Sequence, residues 1–324
     1  MAKEMKIHKV LIVGREGTTG LRIAERLSER DDIELLGIAD DMRKDLSEIV
    51  RVAEHADILI LCLPDEAAKD VVSATKHFTC RIIDASTAHR SDADWAYGFP
   101  ELGVDYRRNI ASGRYVAVPG CHASGMISIL KPLIDAGVLP PEYPVSVLSL
   151  TGYSGGGKSM IADYESEDKA GELFAPRQYG LGQHHKHMKE VVHVSGLARP
   201  PIFMPVVDDY YSGMEVSIGF QTALLALGGE SGAVEKVKKI FREAYADAAA
   251  VKVSDATADE VDAMFMSAGA KSGTDDLTIY VSGNDERVAV HALLDNLGKG
   301  ASGAAVQCLN IMIGSEEATS LVIS

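Results

Sequence analysis

Apolar residues occur along the first third of the chain in short solid runs separated by amphipathic stretches. "VLIV" (10–13), "ADILILCLP" (56–64) and "TCRIIDAS" (79–86) carry apolar cores without alternation, so each predicts a strand buried on both faces. Between the first two, the spacing predicts a helix over about Thr19–Glu29 and a strand over Glu34–Ala39, and "DEAAKDVVSATKHF" (65–78) predicts another helix. Strands alternating with helices favour a doubly wound parallel sheet, which "YVAVPG" extends to about residue 120. The texture then changes. "PVSVLSLTGYS" (144–154), "MPVVDDYYSGMEVSIGFQ" (204–221) and "TIYVSGNDERVAVHALL" (278–294) contain alternating stretches, the mark of a largely antiparallel sheet with one wetter face. "NLGKGASGAAVQCLNIMIG" (296–314) predicts a helix from about Ala301 whose small and apolar residues favour burial.

The expected architecture is α/β: a Rossmann-type doubly wound parallel sheet over residues 1–118, completed by a C-terminal helix at about 299–324. A second α+β domain with a largely antiparallel sheet covers 119–298. Composition agrees with this picture: 324 residues, 46% hydrophobic and 24% charged, give length and apolar content for two cores. A net charge of -15 disfavours nucleic acid and anionic membranes as partners, since both repel it at long range. Residues 1–9, "MAKEMKIHK", are too polar for the core of a signal peptide, and no run of about 18 apolar residues occurs, so a cytoplasmic location is expected. Cys62, Cys80, Cys121 and Cys308 form no C-x-x-C pair, which removes zinc knuckles and disulfide frameworks from consideration.

Three stretches carry candidate chemistry. Gly14, Gly17 and Gly20 lie between a strand and a helix, where backbone N–H groups and the helix dipole can cradle a pyrophosphate. Asp40, at the end of the second strand, suits a ribose hydroxyl and hence NAD; Arg15 and Arg43-Lys44 suit a 2'-phosphate and hence NADP. Both readings stand on the sequence. Cys121 follows Pro119-Gly120 and opens an apparent helix, a position that stabilises thiolate over thiol. The buried, inert alternative fits Cys62 and Cys308 well. A nucleophile needs a proton-transfer partner, and His184, His185 and His187 cluster in "GQHHKHMKEV"; an imidazole titrating near neutrality suits that role, whereas metal ligation there lacks ligands beyond Glu190. "GYSGGGKS" (152–159) matches the P-loop spacing formally, but it lies behind a fold that already offers a nucleotide site. It reads better as an anion loop for substrate, in which three consecutive glycines followed by Lys158 and Ser159 expose several N–H groups in one turn.

A dinucleotide fold, a cysteine at a helix start, a histidine and an anion loop together suit reversible phosphorylating oxidation of an aldehyde. With "VGREGTTG", "IIDASTAHR", "YGFPEL", "VPGCHASG", "GYSGGGKSMI", "HHKHMKE", "FMPVVDDYYSGM" and "DNLGKGASGAAVQ" in this order, essentially the whole chain resembles the N-acetyl-gamma-glutamyl-phosphate reductases of arginine biosynthesis, in their shorter, type 2 form. The resemblance implies NADPH-dependent reduction of N-acetyl-L-glutamyl 5-phosphate, a small acyl phosphate, to N-acetyl-L-glutamate 5-semialdehyde and phosphate. It implies Cys121 as nucleophile and His187, or else His185, as general acid/base. NADP(H) is expected on Gly14, Arg15, Gly17, Thr18, Thr19 and Gly20, with Arg43, Ser86, Asn296 and Gly298, and substrate near Ser154, Gly155, Gly156 and Lys158, with Arg90 and Arg114 as further anion contacts and a structural role as the alternative for Arg90. No metal is implied, and a homo-oligomer, tetramer or dimer, is. Two residues depart from the common pattern: Val118, where many members carry asparagine, and His122, where many carry tyrosine, which makes His122 a third acid/base candidate. Competing readings are the same chemistry on aspartyl phosphate or an N-acetyl-aminoadipyl phosphate analogue, and, outside enzymes, a dinucleotide-sensing regulator.

Overall fold

The computed structural model describes residues 6–228 and 231–324. The chain divides into two compact units. One holds the chain up to Pro100 together with Val104–Pro119 and Ala301–Leu321; the other holds Glu101–Gly103, Gly120–Gly300 and Val322–Ser324.

In the first unit, β1 (His8–Val13), α1 (Thr18–Ser28), β2 (Ile33–Leu36), α2 (Leu46–Ala53), β3 (Ile58–Leu61), α3 (Asp65–Thr75), β4 (Arg81–Asp84), β5 (Ala96–Tyr97), α4 (Val104–Ser112) and β6 (Tyr115–Ala117) follow in order. The strands form one all-parallel sheet in the order β2-β1-β3-β4-β6-β5. The solid apolar runs have a direct structural reason. Val10, Ile12, Ile58, Ile60 and Ile83 turn toward Ile23 and Leu27 of α1. Their neighbours Leu11, Val13, Leu59, Leu61 and Ile82 turn to the opposite layer, toward Ile49, Val52, Ala68 and Val71. Period-two geometry thus buries every residue of the runs Val10–Val13 and Ile58–Leu61, so no polar position is left there for alternation.

The second unit opens with α5 (Cys121–Asp135) and continues through β7 (Ser146–Gly152), α6 (Gly157–Glu165), β8 (Arg177–Gln178), α7 (Met188–Ser195), β9 (Ile202–Asp208), β10 (Met214–Gln221), α8 (Ala233–Ala244), β11 (Val251–Val253), α9 (Ala258–Ala263), β12 (Leu277–Gly283) and β13 (Arg287–Leu294). Its seven-stranded sheet runs β11-β12-β13-β10-β7-β9-β8. The pairs β12–β13, β13–β10, β10–β7 and β9–β8 are antiparallel; β11–β12 and β7–β9 are parallel. Alternation along β7, β9 and β10 sends Val147, Phe203, Val216 and Ile218 inward. Helix α5 lies so close to that face that a Cβ on Gly125 would stand 2.4 Å from Val216 Cγ2, which only glycine avoids.

The final helix, α10 (Gly303–Ile313), returns to the first unit, where Ala305, Leu309 and Met312 join the α1 side of the core. The helix expected over about 299–324 is therefore shorter at both ends. Gly298–Ser302 forms a wider π-type turn, and Gly314 in the left-handed conformation (φ 75°) stops the helix. The tail returns to the second unit, where Val322 and Asp275 exchange backbone and side-chain hydrogen bonds of 2.7 and 3.0 Å. Among the described residues, no helix is long and apolar enough to cross a membrane.

Candidate active site

Cys121 is the first residue of α5. Gly120 caps the helix in extended conformation (φ -76°, ψ 149°) and brings no side chain to the free N–H groups of the first turn, so the half-buried thiol sits where partial positive charge collects. The Gly120 N–H donates to Glu190 Oε2 of α7 at 3.4 Å, and this carboxylate is buried. On the other side, a Cβ on Gly300 would lie 2.7 Å from Cys121 Cβ, so the turn before α10 packs directly against the cysteine. The other thiols fit the inert reading. Burial first, then the Asp84 charge, pushes Cys62 up to about 12; burial also raises Cys80; and the buried Cys308 donates to the Gly98 carbonyl at 3.5 Å.

Beside Cys121 four polar rings converge on Phe203, whose centroid lies 5.1 Å from those of both His122 and His185. The centroid of His122 lies 5.4 Å from that of His185 and 5.7 Å from that of His187, and His185 and His187 stand 4.7 Å apart. Tyr179 completes the group, 6.3 Å from His122 and 6.1 Å from His185. His187 is buried at the cap position of α7, and its backbone N–H donates to His185 Nδ1 at 3.3 Å. His122 is buried with both ring nitrogens engaged, Nδ1 with Ser149 Oγ at 2.8 Å and Nε2 with Tyr179 Oη at 2.7 Å. Burial first, then the charges of His185 and Lys186, lowers its pKa to about 3; burial and Lys186 lower His185 to about 4. Both rings are therefore neutral at physiological pH.

This burial has a consequence for stability. Folded His122 stays neutral down to about pH 3, while the unfolded ring protonates near 6.5, so below 6.5 the unfolded state binds the extra proton. Stability then falls with falling pH by about 1.4 kcal/mol per unit for this group between those values. Denaturant titrations from pH 7 to pH 4.5 should show that loss, and His122→Gln should flatten the slope by that amount; an unchanged slope contradicts it.

The glycine loop of the first unit has the close approaches expected of a phosphate cradle. Gly14 is left-handed (φ 84°), and a Cβ there would lie 2.3 Å from the Cys62 carbonyl oxygen; on Gly20 it would lie 2.4 Å from the Gly14 oxygen. Gly17 caps α1 without any side chain, which leaves the first-turn N–H groups beside Thr18 and Thr19 open to an anion. Arg15 is exposed, and Arg43 pairs with Glu16 of the loop at 3.4 Å and with Asp40 at 3.8 Å. The two sequence-level rivals for the ribose site thus sit in one charged cluster.

Several expected contact residues are occupied by the fold itself. Arg90 donates to the carbonyls of Val118 and Ala85 at 2.8 and 3.1 Å, which fixes the strand end leading to Pro119. Arg114 donates to Cys80, Lys76 and Thr75 carbonyls at 3.3, 3.0 and 3.2 Å. Both arginines thus have main-chain partners within the fold. Ser86 donates to the buried Asp84 at 2.7 Å, and Asp84 also holds His89 at 2.6 Å. Asn296 and Ser154, expected to serve cofactor and substrate respectively, bond each other at 3.0 Å, while Asn296 Oδ1 accepts from Gly213 N at 2.9 Å. A Cβ on Gly298 would strike the Thr274 carbonyl at 1.9 Å. Gly155, Gly156 and Lys158 remain exposed at the start of α6.

Tyr179, Ser149 and the Gly120 contact of Glu190 escape the sequence reading. Ser149 left a signal: in "VLSLT" it is a polar residue on the inward-facing register of β7. Tyr179 left none, since it follows the two-residue strand β8 in the loop before α7.

Family models match both parts of the chain: the NAD binding domain of semialdehyde dehydrogenases over residues 9–110 and their dimerisation domain over 121–296. The semialdehyde dehydrogenase fold also appears in solved structures, such as aspartate semialdehyde dehydrogenase from Francisella tularensis, with a TM-score of 0.71 at 17% identity over 95% of this chain and 100% of that one. Among characterised sequences, N-acetyl-gamma-glutamyl-phosphate reductase 2 from Nostoc sp. is 43% identical over 95% of this chain and 98% of its own length. The N-acetyl-gamma-glutamyl-phosphate reductase of Brucella ovis is 44% identical over 94% and 99%. This chain belongs to the N-acetyl-gamma-glutamyl-phosphate reductase family.

Proposed function

We propose that the protein is a cytoplasmic, homo-oligomeric reductase that converts N-acetyl-L-glutamyl 5-phosphate and NADPH to N-acetyl-L-glutamate 5-semialdehyde, phosphate and NADP+. The observation that carries this reading is the half-buried Cys121 at the uncapped start of α5, beside a cluster of histidines. The Cys121 thiolate attacks the acyl carbon, the C–O bond to phosphate breaks, and a thioester remains on the enzyme. The Gly14–Gly20 loop would hold NADPH, which when bound would supply a hydride to the thioester carbon. The N–H groups at the start of α5 stabilise the oxyanion formed in both steps. His187 protonates the hemithioacetal oxygen and takes the proton back as the aldehyde forms and the thiolate leaves. Two observations favour His187: His122 has both nitrogens committed, and His185 is held at about 4, too low to supply protons near neutrality.

Exposed Gly155, Gly156 and Lys158 at the start of α6 suit an anionic group of the substrate. Arg15 and Arg43 suit the 2'-phosphate of NADPH. Substrate choice is tested by comparing reverse rates on N-acetylglutamate, aspartate and N-acetyl-aminoadipate semialdehydes; the first should give the highest kcat/KM, and a preference for another reassigns the substrate while leaving the chemistry in place.

The face of the second sheet opposite α5 carries Leu148 and Ile202, 41% and 58% exposed, which suits self-association of this unit. A Leu148→Asp, Ile202→Asp double variant should elute as a smaller species by light scattering; an unchanged mass counts against this face.

A further inference from the structure

Hydrogen-bond accounting gives a task to three side chains that the chemistry above leaves idle. Ser149 is fully buried, and among the described residues its hydroxyl has one hydrogen-bond partner, His122 Nδ1 at 2.8 Å. On the far side of the ring, Nε2 meets Tyr179 Oη at 2.7 Å. A neutral imidazole has one N–H and one bare nitrogen. If Nδ1 carried the hydrogen, the Ser149 O–H would be buried with no acceptor, an arrangement folded proteins avoid. With Nδ1 bare, Ser149 donates to it, and Nε2–H donates to the Tyr179 oxygen. Every buried group is then satisfied, and Tyr179 accepts from His122 while keeping its own O–H to donate elsewhere.

Tyr179 is only partly buried and packs against Tyr153, Tyr164 and Val207 of the second unit. Its oxygen stands 2.7 Å from the ring of His122, the residue that follows Cys121 in the first turn of α5, which brings the phenol to the cysteine's end of the helix. Helix geometry fixes the arrangement: His122 and Gly125, one turn apart on α5, lie over Ser149 and Val216, which are paired neighbours on β7 and β10.

We propose that Ser149 and His122 are positioning residues that set the His122 tautomer and thereby turn Tyr179 into a hydrogen-bond donor toward Cys121, serving the thiolate and the carbonyl oxygen of an acyl group bound to it. The inference rests on the thiol reading of Cys121 and adds to it a side-chain donor beyond the helix N–H groups. It also gives His122 work other than proton transfer.

The test is the pH dependence of iodoacetamide alkylation at the Cys121 peptide, read by mass spectrometry, with steady-state kinetics alongside. Tyr179→Phe should raise the alkylation midpoint by about half a pH unit or more and lower kcat by roughly 10- to 100-fold, with KM changed less than about threefold. Ser149→Ala should move both readouts the same way by a smaller amount, and Ser149→Thr, which keeps the hydroxyl, should restore them. A purely structural role lowers the melting temperature without moving the midpoint, and that result overturns the proposal. So does a Tyr179→Phe protein whose midpoint and kcat match wild type, a comparison that stands even if Ser149→Ala fails to fold. Failure of Cys121 to alkylate in the wild-type protein would instead remove the thiol reading itself, and this inference with it.

Discussion

Replacing Cys121 by serine is expected to lower kcat by about three orders of magnitude or more, with NADPH affinity unchanged within about twofold. The size follows from the route: serine has a hydroxyl that the start of α5 cannot ionise near neutrality, so the covalent path closes. The selectivity follows from the fold. The Gly14–Gly20 loop belongs to the first unit, and Cys121 to the second, with its own supports in Glu190 and Gly300. Stopped kinetics and a fluorescence titration of NADPH binding check the two halves separately; a serine variant within tenfold of wild type contradicts covalent catalysis.

The next largest effect is expected at His187. His187→Gln should reduce kcat by about 10²- to 10⁴-fold and remove from the pH profile the limb that reports the acid/base group. His185→Gln should leave that limb in place, because burial holds this ring neutral, with a pKa near 4, across the working range. Its cost should be the smaller one of losing the Nδ1 acceptor for the His187 backbone N–H. If the limb vanishes in His185→Gln and survives in His187→Gln, the two roles are exchanged.

The sequence was most legible where one local rule suffices. Val10–Val13 and Ile58–Leu61 read as buried strands because both faces are covered, and Gly14 and Gly20 stand where a side chain would strike the backbone. Cys121 could be placed at a helix start from Pro119-Gly120 alone. Legibility failed where partners come from distant segments. The main-chain partners of Arg90 and Arg114 were not legible, because a guanidinium in a sequence shows its charge and not the carbonyls it meets. Asn296 and Ser154 lie 142 positions apart, and no local pattern announces their bond. Helix α4, which buries Ile110 alone, and the two-residue strand β5 left weak periodicity, α2 went unread although Ile49, Val52 and Ala53 stand at helical spacing, and the end of α10 depended on Gly314 taking a left-handed turn. The ring cluster combines both cases: the histidines of 184–187 were visible as a group, while Tyr179 and Ser149 join them only through the pairing of β7, β8 and β9.

The central claim is the thioester on Cys121, and the reverse reaction without phosphate tests it most directly. Enzyme mixed with NADP+ and N-acetylglutamate semialdehyde should release a burst of NADPH equal to the concentration of subunits, leave the acyl group on the Cys121 peptide, and begin steady turnover only when phosphate is added. No burst, steady NADPH formation that ignores phosphate, or an acyl group on any other peptide would contradict the account.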